Sequence, residues 1–387
     1  MQTVEKMSLP HGGAAKVVTR TQVEGSVAWR RAFQDKCKDH RFYEIIEKTL
    51  ANDFDYRYWL LEDHDGNIRA VQPMFFVRQN LVEGVPQVRW IVDFIRKNFP
   101  RFLTMRVLMV GCAAGEGHLG ACDTKDEPWV AEALHASLRT YARQNKAALV
   151  VLKDFPAKYR PTLREFSSNG YIRVPSMPMT RLSLKHASFD DYLATLGYIT
   201  RKGLRRKFRK TERAGPIDME VVSDITPYVD EIYPLYLQVH DRSSMKFEQL
   251  TKDYFCKLGQ MMPERVRFFI WRQKGKIVAF SCCLIHEKKI YDECLGLDYE
   301  VALDLHLYFY TLRDVLVWAM EHDLEEYCSA PLNYDPKLHL GCKLMPLDLY
   351  VLHTRAPLNP IFRRALKYLE PTRHDPVLRQ FPNADEL

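Results

Sequence analysis

The chain has 387 residues, of which 47% are hydrophobic, 27% charged and 12% aromatic, and it carries a formal net charge of +7. That is the composition of a packed globular protein of about two domains, which excludes a largely disordered chain. No apolar run approaches the roughly 20 residues that a bilayer-spanning helix needs, so no stable membrane insertion is expected. The start, MQTVEKMSLPHGGAAKVV, has no continuous apolar signal core, and the nine cysteines include no CxxC pair. The expected address is therefore the reducing cytoplasm, with no metal and no redox centre.

Residues 1–40 read as a polar, glycine-containing lead whose extreme N-terminus is expected to be mobile. A first unit, 41–185, opens with a helix over FYEIIEKTLAN (42–52). YRYWLLE (56–62) and IRAVQPMFFV (68–77) then form a hairpin across Asp65-Gly66. A strand at 107–110 runs into the glycine loop GCAAGEGHLG (111–120), followed by a helix over 128–145, a strand over 147–153 and a short helix over 163–168. Strands over 171–184 are expected to be broken by Pro175 and Pro178.

The second unit, 186–355, repeats this order. Helices over 228–239 and 247–261 precede a hairpin, VRFFIWRQKGKIVAFSCCLI, which matches DYRYWLLEDHDGNIRAVQPMFF of the first unit. A strand over 289–297, a loop over 298–304, a helix over 305–322 and a strand over 325–329 follow, and NGYIRVPSMP (169–178) is answered by LGCKLMP (340–346). Two copies of one mixed α/β unit are implied. Residues 356–387 are a proline-punctuated extension with one helix over 361–369.

At the start of the second unit lies YITRKGLRRKFRKTER (198–213). From Arg201 to Arg213 it holds eight Lys or Arg against the single acid Glu212, 8 − 1 = +7, which equals the charge of the whole chain. Leu204 and Phe208 give a narrow apolar seam at helical spacing, with Arg201, Arg205 and Arg209 on one face and Lys202, Arg206 and Lys210 on the next. Like charges at i, i+4 repel, so a polyanion, most simply phosphate, is the expected counterpart of Arg201, Arg205, Arg206 and Arg209.

A hairpin, a strand entering a phosphate-facing loop, a helix and a further strand make up the layout of the GNAT superfamily of N-acyltransferases. The doubled unit with a basic helix opening its second copy resembles the FemAB and CelD-like branch. The residues carrying the match are SFDDYLATLGYITRKGLRRKFRKTE (188–212), VLKDFP (151–156), ECLGLDYE (293–300), LHLYFYTLRDVLVWAMEHDL (305–324) and NYDPKLHLG (333–341). The resemblance implies an α/β fold of two tandem GNAT-like units, each a mostly antiparallel sheet flanked by helices. It also implies an N-acyltransferase that moves an acyl group from acyl-CoA, or a similar phosphate-bearing carrier, to an amine or amino-acid-like acceptor within a ternary complex. No cofactor is held permanently. Fem-type relatives use aminoacyl-tRNA, which makes tRNA the alternative donor. The usual glycine-spaced pyrophosphate loop is reduced here to Gly296 in LGLDYEVALDLHL.

Acyl transfer to an amine needs a base for the nucleophile, a polarised carbonyl and an acid for the leaving group. By position in the layout these groups are Asp292 and Glu293 on the strand, Asp298 in the loop, and Tyr308, Tyr310 and Tyr334 near the cleft. Asp298, Tyr334 and Glu293 are expected to be catalytic, and Tyr308, Lys337 and His339 to bind substrate. Two further readings stand beside this one. A non-catalytic protein could use the basic helix to bind a polyanion, or RVLMVGCAAGEG could be the first motif of an S-adenosylmethionine-dependent methyltransferase.

Overall fold

A computed structural model describes residues 5–9, 12–80, 97, 104–243 and 246–387. The chain forms two compact units, one of Met1–Met177, Pro346–Asp375 and Leu387, the other of Pro178–Met345 and Pro376–Glu386. The expectation of a mobile N-terminus falls on residues 1–4, outside the described ones. No helix among the described residues is long and apolar enough to cross a membrane.

The strands in chain order are β1 (Glu5–Ser8), β2 (Ala14–Val18), β3 (Asp55–Glu62), β4 (Ile68–Asn80), β5 (Thr104–Val110), β6 (Leu149–Pro156), β7 (Ile172–Ser183), β8 (Asp218–Val222), β9 (Val266–Gln273), β10 (Lys276–His286), β11 (Lys289–Leu297), β12 (Glu326–Ser329) and β13 (Lys343–His353). In unit 1 the sheet order is β1-β2-β3-β4-β5-β6-β13. Every pair is antiparallel except β5 and β6, which run parallel from Val107 opposite Leu149 to Val110 opposite Leu152. In unit 2 the order is β7-β12-β11-β10-β9-β8, with β11 and β12 the parallel pair. Each unit thus has the hairpin, third strand and parallel fourth strand expected of a GNAT-like repeat, and neither has the mostly parallel sheet of alternating strands and helices that a methyltransferase would require.

Burial explains why these segments fold as they do. The helix Glu127–Gln144 buries Val130, Leu134, Leu138 and Tyr141, spaced by three or four, and Tyr141 meets Trp59 of β3 edge-on at 5.5 Å. Each such side chain contributes about 1.5–3 kcal/mol on burial. In unit 2, β10 lies between β9 and β11 and is buried continuously from Ile277 to Leu284, which is why it reads as an almost unbroken apolar run. Ser281 interrupts that run.

The units divide elsewhere than at the sequence segments 41–185 and 186–355. The last strand of each repeat is shared out: β7 gives its second half to unit 2, where Thr180 to Ser183 pair with β12, and β13 gives Leu347 to His353 to unit 1, where they pair with β6. β7 also runs unbroken through Pro175 and Pro178, because proline keeps an extended φ and forfeits only an N–H. The N-terminal lead contributes β1 and β2, and β8 is a strand that the pattern of apolar residues did not indicate.

Asp348 locks β13 into unit 1. Its carboxylate is fully buried and accepts from Arg160 Nε at 2.7 Å and from Arg173 Nη1 at 2.6 Å. Desolvating a carboxylate costs several kcal/mol, and two guanidinium partners offset that cost only while all three groups are present. Replacing Asp348 with alanine removes the carboxylate that the half-buried Arg160 and the exposed Arg173 share, so the Asp348→Ala variant is expected to lose about 1.5–3 kcal/mol of stability, read as a lower urea midpoint.

Candidate active site

In unit 2 the parallel ladder runs from Lys289 opposite Glu326 to Asp292 opposite Ser329, where the Ala330 N–H donates to the Asp292 carbonyl at 3.1 Å. β11 continues to Leu297 while the chain beyond Ser329 turns away, so the two strands part at Asp292. β11 also bulges at this point. Cys282 faces Cys294 and Cys283 faces Asp292, which leaves Glu293 as the extra residue. Such a bulge re-aims the side chains beside it.

The Asp292 carboxylate is half-buried and accepts from Ser281 Oγ at 2.6 Å and from the Tyr327 hydroxyl at 2.7 Å. Burial raises its pKa, and the Ser281 and Tyr327 hydrogen bonds and the nearby Lys337 charge only partly reverse the rise. Beyond the parting point, Leu332 (φ 73°) and Asn333 (φ 52°) are both left-handed, a conformation that costs a non-glycine residue about 1–3 kcal/mol. Lys337 offsets this cost. Its buried ammonium donates to the carbonyls of Ala330 at 2.5 Å and Leu332 at 2.7 Å, and burial pushes its pKa down to about 8. Asn333 does not cap the helix Tyr334–His339 that it precedes, and its side chain instead lies by the Tyr308 phenol. Burial, with the Asp292 charge behind it, raises the Tyr308 phenol, and Asn333 lowers its pKa only in part. A carboxylate, an ammonium and a phenol thus gather where two strands open, a set able to accept a proton, steady a developing oxyanion and donate a proton.

The residues expected from sequence divide between this cluster and the framework. Lys337 and Tyr308 belong to the cluster, and Glu293 sits in the bulge. Tyr334 opens a helix instead of lying in a loop, is buried, and donates its hydroxyl to the Pro178 carbonyl at 2.8 Å. Asp298 is buried and organises its own loop, accepting the Glu300 N–H at 3.1 Å and the Lys276 ammonium at 2.7 Å. His339 is exposed and donates to the Asp335 carbonyl at 2.8 Å. Sequence reasoning missed Ser281, Tyr327 and Asn333. The signal for Ser281 was its hydroxyl in an otherwise apolar strand.

The basic helix spans Tyr198–Arg213 as expected, and it buries Leu204, Phe208 and Thr211. Thr211 ties it to the chain just before the helix Leu307–Glu321 through a hydrogen bond to the Leu305 carbonyl, and the Lys207 ammonium sits 3.4 Å from the Phe309 ring centroid. Its two charged faces behave differently. Arg201 donates to the Ala194 carbonyl at 3.0 Å, Arg205 pairs with Asp190 at 3.1 Å, and Arg209 folds back onto the Arg205 carbonyl at 3.3 Å. Arg206, Lys207 and Lys210 instead crowd His306, at the start of the helix Leu307–Glu321. Burial first, and then these three cations, lower the His306 pKa.

The loop between β11 and that helix is closed on itself. The N–H groups of Val301, Ala302, Leu307, Phe309 and Tyr310 donate to nearby carbonyls, Tyr299 donates to Gln238 Oε1, and Glu300 to Asp298 Oδ1. Little backbone remains to cradle a pyrophosphate. Gly296 serves packing, since a Cβ there would lie 2.2 Å from the Phe280 ring and 2.8 Å from the Tyr236 nitrogen. In unit 1 the glycine loop is likewise a tight connection. The N–H groups of Gly111 and Gly117 donate to the Pro73 and Asp154 carbonyls, and a Cβ on Gly120 would lie 2.0 Å from the Val71 carbonyl oxygen. Glu116, within that loop, pairs with buried Lys38 at 2.6 Å. Burial alone would raise the Glu116 carboxyl, but Lys38 and His118 hold it well below the ordinary range, and a fixed negative charge there opposes phosphate.

Among solved structures, FemX aligns with this chain at a TM-score of 0.54 and 11% identity, covering 93% of this chain and all of that one (100%). The C-terminal domain of a protein named as a lysylphosphatidylglycerol synthetase from Agrobacterium fabrum aligns at 0.52 and 14% identity, covering 89% and 95%. A tandem GNAT protein from the clavulanic acid biosynthesis pathway aligns at 0.49 and 12%, covering 89% and 99%. At such identities the first two likenesses speak for the fold alone. No curated protein sequence matches. The sequence does match the FemAB-like family, described as peptidoglycan biosynthesis/recognition, over residues 27–330, well over half its length. The chain therefore belongs to the FemAB-like family.

Proposed function

We propose that this protein is an aminoacyltransferase, passing an acyl group from the ribose ester of an aminoacyl-tRNA to the amine of a peptidoglycan precursor. The observation that carries this reading is the carboxylate–ammonium–phenol cluster where β11 and β12 part. The donor follows from the anion chemistry beside it. The loop between β11 and the helix Leu307–Glu321 has committed most of its N–H groups to protein acceptors, which suits a coenzyme A pyrophosphate poorly. The exposed cations Arg206 and Lys210, with Lys207, suit the backbone of a larger polyanion. Membership of a family described as peptidoglycan biosynthesis/recognition supports the acceptor.

The roles follow from chemistry. The acceptor nitrogen attacks the ester carbonyl carbon, forming the C–N bond as the C–O bond to the ribose breaks. Asp292 takes the proton released by the amine, the Lys337 charge steadies the oxygen that becomes negative, and Tyr308 protonates the departing ribose hydroxyl. Acyl-CoA is the competing donor. Titrating the protein with bulk tRNA and with coenzyme A, each at low and moderate salt, separates the two. Tight, salt-resistant coenzyme A binding without tRNA binding would sink the tRNA reading.

Three outcomes are expected. Asp292→Asn keeps the fold and lowers transfer from charged tRNA on the order of a hundredfold or more. Replacing Arg206, Lys207 and Lys210 together with alanine weakens tRNA binding and reduces the slope of log affinity against log salt by about 2–3, close to one per lost phosphate contact. Transfer needs Asp292 ionised and Lys337 protonated. The rate should therefore rise with pH through a pKa raised above the ordinary aspartate value and fall again as pH passes about 8. In Lys337→Met the alkaline fall should vanish from a lower plateau, which a pH–rate profile would read.

A further inference from the structure

Unit 1 includes the helix Asn359–Leu369, which no step of the proposed reaction uses. Its start is pinned: the Asn359 side chain donates to the Gly170 carbonyl at 2.6 Å and accepts the His353 N–H at 3.1 Å, and Phe362 packs on the His353 ring at 5.3 Å. Its outer stripe is not covered. Leu358 is 39% exposed and Ile361 65%, and Ala365 continues the line at helical spacing. The segment that carries this stripe is basic, since residues 355–369 contain four cations and no acid, with Glu370 following. Arg355, Arg363 and Arg364 are exposed, and the last two line a groove of about 480 Å³ with Ala356, Asn359 and Pro360.

An exposed apolar stripe bordered by guanidinium groups is the pattern of a helix lying in a membrane interface. A nucleic acid would leave Leu358 and Ile361 in water. A twofold contact with a second copy would set this cationic border against itself. We propose that this helix docks the protein on an anionic phospholipid bilayer, with Arg363 and Arg364 taking headgroup phosphates in the groove and Leu358 and Ile361 entering the headgroup–acyl boundary. The docking is peripheral and separate from the proposed transfer site.

The test is co-sedimentation of the full chain with phosphatidylcholine vesicles, with and without phosphatidylglycerol. Wild type should bind the phosphatidylglycerol vesicles, release with salt, and bind pure phosphatidylcholine far less. Arg363→Gln with Arg364→Gln should weaken binding about thirtyfold, from about 1 kcal/mol per cation lost. Ile361→Asp should weaken it at least as much. All these positions are exposed, and circular dichroism and tRNA titration of each variant should match wild type. Absence of binding by wild type, equal binding to neutral vesicles, or undiminished binding by either variant would overturn the proposal. So would dependence of vesicle binding on Arg206 and Lys210 in place of this helix.

Discussion

Asp348 is the residue on which unit 1 closes. Its carboxylate has left water, and only the two guanidinium groups of Arg160 and Arg173 make that tolerable. One partner follows β6 and the other lies on β7, so a single buried charge gathers three chain segments, one of them nearly two hundred residues away in sequence. β13 arrives from the end of the second repeat, and without this charge its place beside β6 would rest on backbone hydrogen bonds and apolar contacts alone.

The proposed transfer site in unit 2 is built on a different balance. Parallel pairing is short, and where it ends the sheet cannot satisfy the chain by ladder hydrogen bonds. The gap is filled by a bulge on one strand and two left-handed residues beyond the other, and the conformational cost is offset by one buried ammonium. Lys337 is thus structural and electrostatic at once. The charge that holds the Ala330–Asn333 turn is the same charge felt at Asp292. Ser281 and Tyr327 complete the arrangement, each holding one oxygen of the Asp292 carboxylate.

Much of the fold was legible in sequence because periodicity and turn chemistry are local. The hairpin across Asp65-Gly66, the strand Lys289–Leu297 and the basic helix with its Leu204–Phe208 seam all appear where pattern places them. The exchanged strands were not legible, because the partner of β13 is settled by Asp348 meeting two arginines distant in sequence. The site was only partly legible for the same reason. Position on the strand indicates Asp292 and Glu293 equally, and the bulge that separates them depends on pairing with β10. Tyr334 and Asp298 look like reactive groups in a linear reading because their satisfied contacts, with Pro178 and with Lys276 and Glu300, are made through space. The helical wheel could place Arg206 and Lys210 on one face, but it could not tell which face meets the helix Leu307–Glu321.

The shared-out strands also bear on how the protein is made. During synthesis β6 emerges early, yet the strand that covers its outer edge is made only much later. At about 5–20 residues per second, the roughly 200 residues between them take on the order of ten to forty seconds. Throughout that time unit 1 exposes a bare row of β6 backbone groups, the kind of edge that recruits stray strands. Until β13 arrives the first half of this chain carries an open sheet edge, and a ribosome stalled before residue 343 would release a species with that edge unpaired.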